Sequence, residues 1–122
     1  MKLKNLAIDE FSVEPSVEEG RMNLHFRGAI HAAQPEEFLS PYLDRALEEA
    51  SEGKLRLVCD FRELEYMNSA SIPPLIHLLR RMAELQVEGE FIYDASRKVQ
   101  TASFRALDVI ARKSEFTSVR GV

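Results

Sequence analysis

The alternation of apolar and polar residues predicts that the chain opens with paired β-strands. From Met22 to Gly28, apolar residues or glycine stand at every second position, with polar residues between them. This period of two is typical of a strand with one buried face. An earlier strand is predicted around Phe11 and Val17, interrupted by a turn at the segment Glu14-Pro15-Ser16. A second turn signal at residues 18–21 joins the two strands into a hairpin.

Three later segments show helical spacing. Between Pro35 and Ser51, apolar residues recur at i, i+4, i+7 and i+11, and acidic residues fill the other face. Within this segment Pro41 either kinks the first turns or marks the start of the helix, with Ser40 as its N-cap. A second helix is predicted from about Pro74 to Gln86. A third is predicted to bury an apolar face made of Val99, Ala102, Ala106, Leu107 and Ile110.

Short apolar runs between and after these helices predict the remaining strands, at Leu55–Cys59, Phe91–Tyr93 and Phe116–Val119. The first of these runs is almost continuously apolar, which predicts a strand buried on both faces at the centre of a sheet covered by helices. The element order is therefore β-β-α-β-α-β-α-β. Alternation of strands and helices after the hairpin predicts an α/β fold with a mixed, mainly parallel sheet and helices packed on it.

The length and composition fit one self-sufficient domain. The chain has 122 residues, of which 45% are hydrophobic, so residues 1–122 are predicted to form one domain with its core at about residues 10–119. Cys59 is the only cysteine and lies in an apolar run. We therefore expect a buried, unreactive thiol and no disulfide.

Charge and motif content narrow the classes of function. The net charge is −4, with 20 acidic against 16 basic residues, which argues against sequence-independent binding of nucleic acid. No segment has the apolar length of a membrane span or the pattern of a signal peptide, so we predict a cytoplasmic protein without a membrane partner. Neither His25 nor His31 has a second ligand at a suitable spacing. No metal and no cofactor are therefore predicted.

The least generic segment is Asp60–Pro74, which is predicted to leave a buried strand, cross a polar loop and enter a helix. The helix entry carries Asn68, Ser69 and Ser71. Serine and asparagine are favoured at helix N-termini because their side-chain oxygens accept hydrogen bonds from free backbone N–H groups. One interpretation is therefore that Ser69 or Ser71 does no more than cap a helix.

The same segment resembles a known signature. Asp60 and the run Leu-Glu-Tyr-Met-Asn-Ser-Ala-Ser-Ile at residues 64–72 resemble the motif of the STAS domain, the fold of bacterial anti-sigma factor antagonists. The resemblance implies a regulatory module that is phosphorylated by a serine/threonine kinase of the anti-sigma type and reset by a phosphatase, with a role in regulating transcription. It implies Ser69 as the phosphoacceptor, Ser71 as its back-up and Asp60 as a supporting residue.

Two departures from the usual motif point to a branch of that family. Ser71 stands where glycine is usual, and Pro73 stands where a second glycine is common. The loop is thereby similar to those of biofilm-regulating phosphoproteins that bind a cyclic-dinucleotide synthase, so a signalling enzyme is the other partner that the resemblance implies. The expected oligomeric state is a monomer or a weak homodimer. The partner surface is expected to comprise Asn68, Ser69, Ser71, Ile72, Arg80 and Arg81.

Two other classes of function involve the same residues or the same fold. A hydrolase built on Ser69, His77 and Asp60 is disfavoured, because a helix from residue 69 to 77 would place its serine and histidine about 12 Å apart along the axis. The chain is therefore predicted not to be an enzyme. A constitutive scaffold or small-ligand-binding domain of the same fold, without phosphorylation, remains the alternative.

Overall fold

The computed structural model describes residues 2–122 and shows one sheet of six strands with three α-helices. The strands are β1 (Leu6–Ile8), β2 (Phe11–Glu18), β3 (Arg21–Ile30), β4 (Arg56–Met67), β5 (Gly89–Tyr93) and β6 (Thr117–Gly121). The helices are α1 (Glu36–Gly53), α2 (Ile72–Glu84) and α3 (Lys98–Ala111), and a single 3-10 turn, Ser69–Ser71, precedes α2.

The strands lie in the sheet in the order in which they occur along the chain. β1, β2 and β3 pair antiparallel, and β3 to β6 pair parallel. The predicted mixed, mainly parallel α/β fold is therefore confirmed, with β1 as an additional strand. Each helix connects a strand to the next parallel strand of the sheet, and all three connections run in the same direction across it. Because such connections are right-handed, all three helices lie on one face of the sheet.

The other face of the sheet is open and polar, so the prediction that helices cover both faces is wrong. Arg27 on β3 forms ion pairs with Glu14 and Glu63 across the strands on either side of it. Arg120 on β6 pairs with Glu90 on β5 at 3.2 Å. Cross-strand ion pairs on a solvated face account for the polar residues that alternate with the core residues.

β4 has 12 residues and extends well beyond the predicted strand Leu55–Cys59. It continues through Asp60 to Met67 beside β3, with two irregularities in register. The predicted polar loop between Asp60 and the helix is therefore wrong. Because one sheet face is open, charged residues can continue a strand while Phe61 and Leu64 remain buried on its core side.

The turn predicted at residues 14–16 is also wrong, because β2 runs through it. Pro15 lies opposite Leu24 of β3, beyond the last residue of β2 that pairs with β1, Val13. On that side the strand is an edge, where a residue without an N–H is tolerated. α1 begins before Pro41 and includes it, so Ser40 is not its N-cap.

The helical face of the sheet is closed by one apolar core. An aromatic cluster lies at its centre, in which the ring of Phe61 packs against those of Phe26, Phe91 and Phe104 at centroid distances of 4.3, 5.2 and 4.9 Å. Cys59 is fully buried, as predicted, and burial raises the pKa of its thiol. Within residues 2–122, none of the helices combines the length and the apolar character that a membrane crossing needs.

The predicted buried face of α3 needs correction. The helix buries Gln100, Phe104, Leu107 and Ala111. Of the predicted set, Leu107 is buried and Ile110 is partly buried, whereas Val99 is 66% exposed and Ala102 and Ala106 face solvent.

Candidate functional site

Ser69 lies at the edge of the sheet where the parallel strands end. β4 finishes at Met67, and the 3-10 turn that Ser69 begins leads directly into α2. The side chain is exposed, and its hydroxyl forms no hydrogen bond with any residue from 2 to 122. The carboxyl edge of parallel strands is the usual place for functional loops in α/β folds. Ser69 therefore presents its hydroxyl to solvent.

Asn68 fixes the position of this loop. Its side-chain Nδ2 donates a hydrogen bond to the carbonyl of Ala32 at 2.7 Å, and its backbone N–H donates to the carbonyl of Ile30 at 3.2 Å. Its Oδ1 accepts a hydrogen bond from the hydroxyl of Ser71 at 2.8 Å. These bonds tie the end of β4 to the segment after β3. Ser69 therefore projects from a loop whose position is fixed by the hydrogen bonds of Asn68.

Ser71 does not fit its predicted roles. Its side chain is 0% exposed and its hydroxyl donates to Asn68. A phosphate at this position would be a buried dianion, which is strongly unfavourable. Ser71 is thus excluded as a back-up phosphoacceptor in this fold and as part of an exposed partner surface. Its role is to position Asn68.

The capping interpretation is not what the structure shows. Ser71 occupies the N-cap position of α2, but its side chain makes no capping hydrogen bond. The next residues, Ile72, Pro73 and Pro74, open α2. Because proline has no N–H, the first turn of α2 offers few backbone donors for any side chain to cap. Ile72 is half-buried beside Ser69 and completes the small surface at the loop.

Asp60 does not belong to this site. It lies on the open sheet face, seven residues before Met67. At the rise per residue of a strand, this separates Asp60 by about 20 Å from the end of β4, where the loop begins. Its carboxylate accepts hydrogen bonds from the Arg62 side chain at 2.9 and 2.7 Å and from the Arg62 backbone N–H at 3.0 Å. Burial by itself raises the pKa of Asp60, but these bonds and the charges of Arg62 and His25 outweigh it and hold the pKa below its usual value. The predicted supporting role is therefore wrong.

The two arginines of the predicted surface lie farther along α2. Arg80 is exposed about 12 Å from Ile72 along the helix axis. Arg81 forms an ion pair with Glu84 at 3.0 Å. Both lie on α2, the helix that follows the loop, but neither contacts Ser69. Among residues 2–122 no group of three His, Cys, Asp or Glu side chains is placed to hold a metal ion.

An aromatic pair that was not predicted from the sequence lies beside the loop. The ring of Tyr66 stacks on that of His31, with centroids 4.9 Å apart and planes at 19°. Tyr66 is 38% exposed although it lies in β4 only two residues before Asn68. A groove of about 320 Å³ runs beside His31 over Phe11, Ile30 and Phe38. Tyr66 was visible in the motif, but the approach of His31, 35 residues earlier, depends on the pairing of β3 with β4.

Replacing Asn68 by alanine is expected to lower the free energy of unfolding by about 1–3 kcal/mol, since it leaves the buried hydroxyl of Ser71 without its partner. Amide hydrogen exchange at residues 69–72 should accelerate because the anchor to Ala32 is lost. Urea denaturation and exchange monitored by NMR measure both effects. Asn5→Ala, at an exposed asparagine, is the control. Equal stability of the two variants would contradict the anchoring role.

Comparison with known proteins identifies the fold. No protein-family model matches the chain, and no curated protein matches its sequence. Among solved structures, the chain is similar to SiaC in the crystal structure of the diguanylate cyclase SiaD in complex with its activator SiaC from Pseudomonas aeruginosa. The TM-score is 0.68 at 16% identity, over 97% of this chain and 98% of that one.

A second similar solved structure identifies the fold by name. It is a protein from Shewanella loihica PV-4 with a SpoIIAA-like fold, matched with a TM-score of 0.53 and 11% identity over 94% of this chain and 88% of that one. At these identities the likeness concerns the fold. The mixed sheet with its three helices is therefore a SpoIIAA-like, STAS-like fold, as the sequence motif indicated.

Proposed function

We propose that this domain binds a protein partner through the Ser69 loop and loses that partner when Ser69 is phosphorylated. The observation that supports it is the exposed, unbonded hydroxyl of Ser69 on a loop held by Asn68. The proposed contact surface consists of Asn68, Ser69 and Ile72, with Tyr66 and His31 at its border. Arg80 and Arg81, farther along α2, would form its rim, where charges steer encounter.

Phosphorylation of Ser69 would act on the interface and leave the fold intact. A phosphate adds about −1.5 to −2 charges and three acceptor oxygens. On the exposed loop it stays solvated, and the N-terminal end of α2 favours a negative charge. A partner surface that fits a neutral hydroxyl and Ile72 would instead desolvate a dianion, which costs far more.

The fold and the motif together support the proposed class of partner. SiaC is the activator of a diguanylate cyclase and forms a complex with it. We infer a signalling enzyme or a serine/threonine kinase of the anti-sigma type as the partner, with a kinase and a phosphatase setting the state of Ser69. The domain itself has no catalytic role in this scheme. The free thiol of Cys59 suits a reducing, cytoplasmic compartment.

A binding experiment with charge variants tests the switch. The partner is first recovered from the host with the wild-type domain and identified, and its affinity is then measured by calorimetry. Ser69→Ala should bind as the wild type does, and Ser69→Asp should bind about 30–100-fold more weakly, a loss of about 2–3 kcal/mol. Ser118→Asp, at an exposed serine on β6, is the matched control for added charge and should bind normally.

Incubation with the cognate kinase tests the acceptor itself. Intact mass should show one added phosphate on the wild type and none on Ser69→Ala. Unchanged phosphorylation of the variant would reject the site. Pro73 and Pro74 deprive the loop of two N–H donors for a phosphate, which favours a constitutive scaffold as the second candidate. Equal affinity of Ser69→Asp and wild type would favour that second function.

A further inference from the structure

A row of apolar side chains on α3 faces solvent. Val99 is 66% exposed and Val109 is 61% exposed, and Ala102 and Ala106 between them are exposed as well. Their spacing of three, four and three residues places them on one line of the helix, about 15 Å long. Isolated exposed apolar residues need no explanation, but an aligned row that includes two highly exposed valines is a candidate interface.

Basic side chains border this row. Lys98, Arg105 and Lys113 are exposed, and within residues 2–122 no carboxylate lies within 4.0 Å of their charged groups. Residues 97–113 carry five basic residues against one acidic residue, although the whole chain has a net charge of −4. In α1 the balance is reversed, with six acidic residues against one basic residue. The positive charge is therefore local to α3.

An apolar groove continues the row towards α2. It has a volume of about 250 Å³, and Leu79 and Ala83 of α2 and Ile110 of α3 form its apolar lining. Arg80 and Lys113 also line it, together with Glu84, which is ion-paired with Arg81. The exposed row and the groove together form a surface, here called the α3 surface, that is apolar in the middle and bordered mainly by basic residues, with Glu84 as the one carboxylate of the groove lining.

We propose that the α3 surface binds an amphipathic segment of the protein partner, with apolar side chains on one face and acidic residues on either side of it. The proposal rests on the proposed protein-binding function and adds the chemistry of the partner to it. Charge complementarity supports the proposal, because the acidic residues of such a segment would lie next to the unpaired basic groups and could form ion pairs with them. The first turn of α3 also lies beside β4, because the Nε2 of Gln100 donates a hydrogen bond to the carbonyl of Leu64, three residues before the end of that strand.

A second copy of this chain is a poorer occupant. Pairing of two α3 surfaces would bring two positively charged borders together, which is unfavourable. The α1 helix has the right charge, but its exposed residues are charged except for Pro41 and Gly53. It offers no apolar row to cover Val99 and Val109. A different protein with both features fits better.

The test uses the full domain and a synthetic amphipathic peptide with leucine and alanine on one face and glutamate on both flanks. In NMR titrations this peptide should shift the amide signals of α3 in the wild type. A Val99→Ser/Val109→Ser double variant should bind at least about tenfold more weakly. Both valines are exposed, so the variant should unfold at the same urea concentration as the wild type. A peptide with lysine in place of glutamate should not bind.

Several outcomes would overturn the proposal: equal binding of the lysine peptide, signals that shift only outside α3, or unchanged affinity of the double variant. Sedimentation tests the other occupant, because a wild-type dimer that the double variant abolishes would assign the α3 surface to a second copy. Ser69→Asp should bind the peptide normally. Loss of the Ser69 switch would therefore leave peptide binding intact, and failure of the peptide would leave the Ser69 switch standing.

Discussion

Gly28→Ala is expected to lower the free energy of unfolding by about 3 kcal/mol or more. Gly28 has φ +85°, a backbone conformation that side-chain-bearing residues rarely adopt. A methyl carbon at this position would also lie 1.7 Å from the carbonyl oxygen of Glu10 and 2.9 Å from its carbonyl carbon. Both obstacles are backbone atoms, so the strand pair β2–β3 would have to separate locally.

Gly20→Ala is the control that separates strain from collision. Gly20 has nearly the same conformation, φ +78°, but a methyl carbon there meets nothing within 4 Å. It should cost about 1 kcal/mol, the penalty of the backbone conformation alone. Urea denaturation of both variants measures the difference. Equal losses would show that β2 and β3 do not approach as closely as described.

The consequence of Gly28→Ala for the site follows from its position. Gly28 lies two residues before Ile30, whose carbonyl accepts the backbone hydrogen bond of Asn68. Ala32, which accepts the side-chain bond of Asn68, is four residues away. The close approach at Gly28 therefore helps to set the segment that holds the Ser69 loop.

The sequence predicted the architecture well because the strongest local patterns are dictated by burial on one side. The alternation from Met22 to Gly28 and the helical spacing in α1 and α2 each match an element of the structure. A single helical layer was not predictable from β4 alone. Val58 looks like a residue of a fully covered strand, and both Val58 and Asp60 are indeed buried, at 7% and 8% exposure, on the face without helices.

The buried face of α3 is hard to predict from the sequence because two rows of small or apolar residues run along the helix. Size decides between them in the structure, since the row with Phe104 fills the core and the row with Val99 does not. Gln100 occupies a core position that a polarity pattern assigns to solvent. Its Nε2 donates to the carbonyl of Leu64, a contact between elements that sequence spacing does not reveal.

At the site too, the feature that depends on neighbouring residues was predictable from the sequence, and the features that depend on distant residues were not. The motif placed Ser69 at a helix entry, and in the structure Ser69 is exposed in the 3-10 turn that leads into α2. The motif could not show that Ser71 is buried and hydrogen-bonded to Asn68, or that the longer β4 carries Asp60 far from the loop. Both facts depend on residues more than 30 positions away, which form the anchor at Ala32 and the pairing with β3.

Phe61→Ala is expected to cost about 3–5 kcal/mol of unfolding free energy, because it empties the centre of the aromatic cluster. Phe61 is 1% exposed and contacts rings of β3, β5 and α3 at once, through Phe26, Phe91 and Phe104. Phe61→Leu, which keeps more of the side-chain volume, should lose less than half as much. Thermal and urea unfolding measure both losses, and equal losses for the two variants would contradict the central role of the ring.

The same substitution separates folding from recognition at the α3 surface. Phe104 anchors α3 to the core through Phe61, so Phe61→Ala should speed amide exchange along α3 as well as lower global stability. Val99→Ser/Val109→Ser changes only exposed side chains and should leave exchange and stability unchanged while it weakens peptide binding. If the valine variant instead loosened α3 to the same degree as Phe61→Ala, the exposed row would belong to the packing of the helix, and its effect on binding would be a consequence of unfolding.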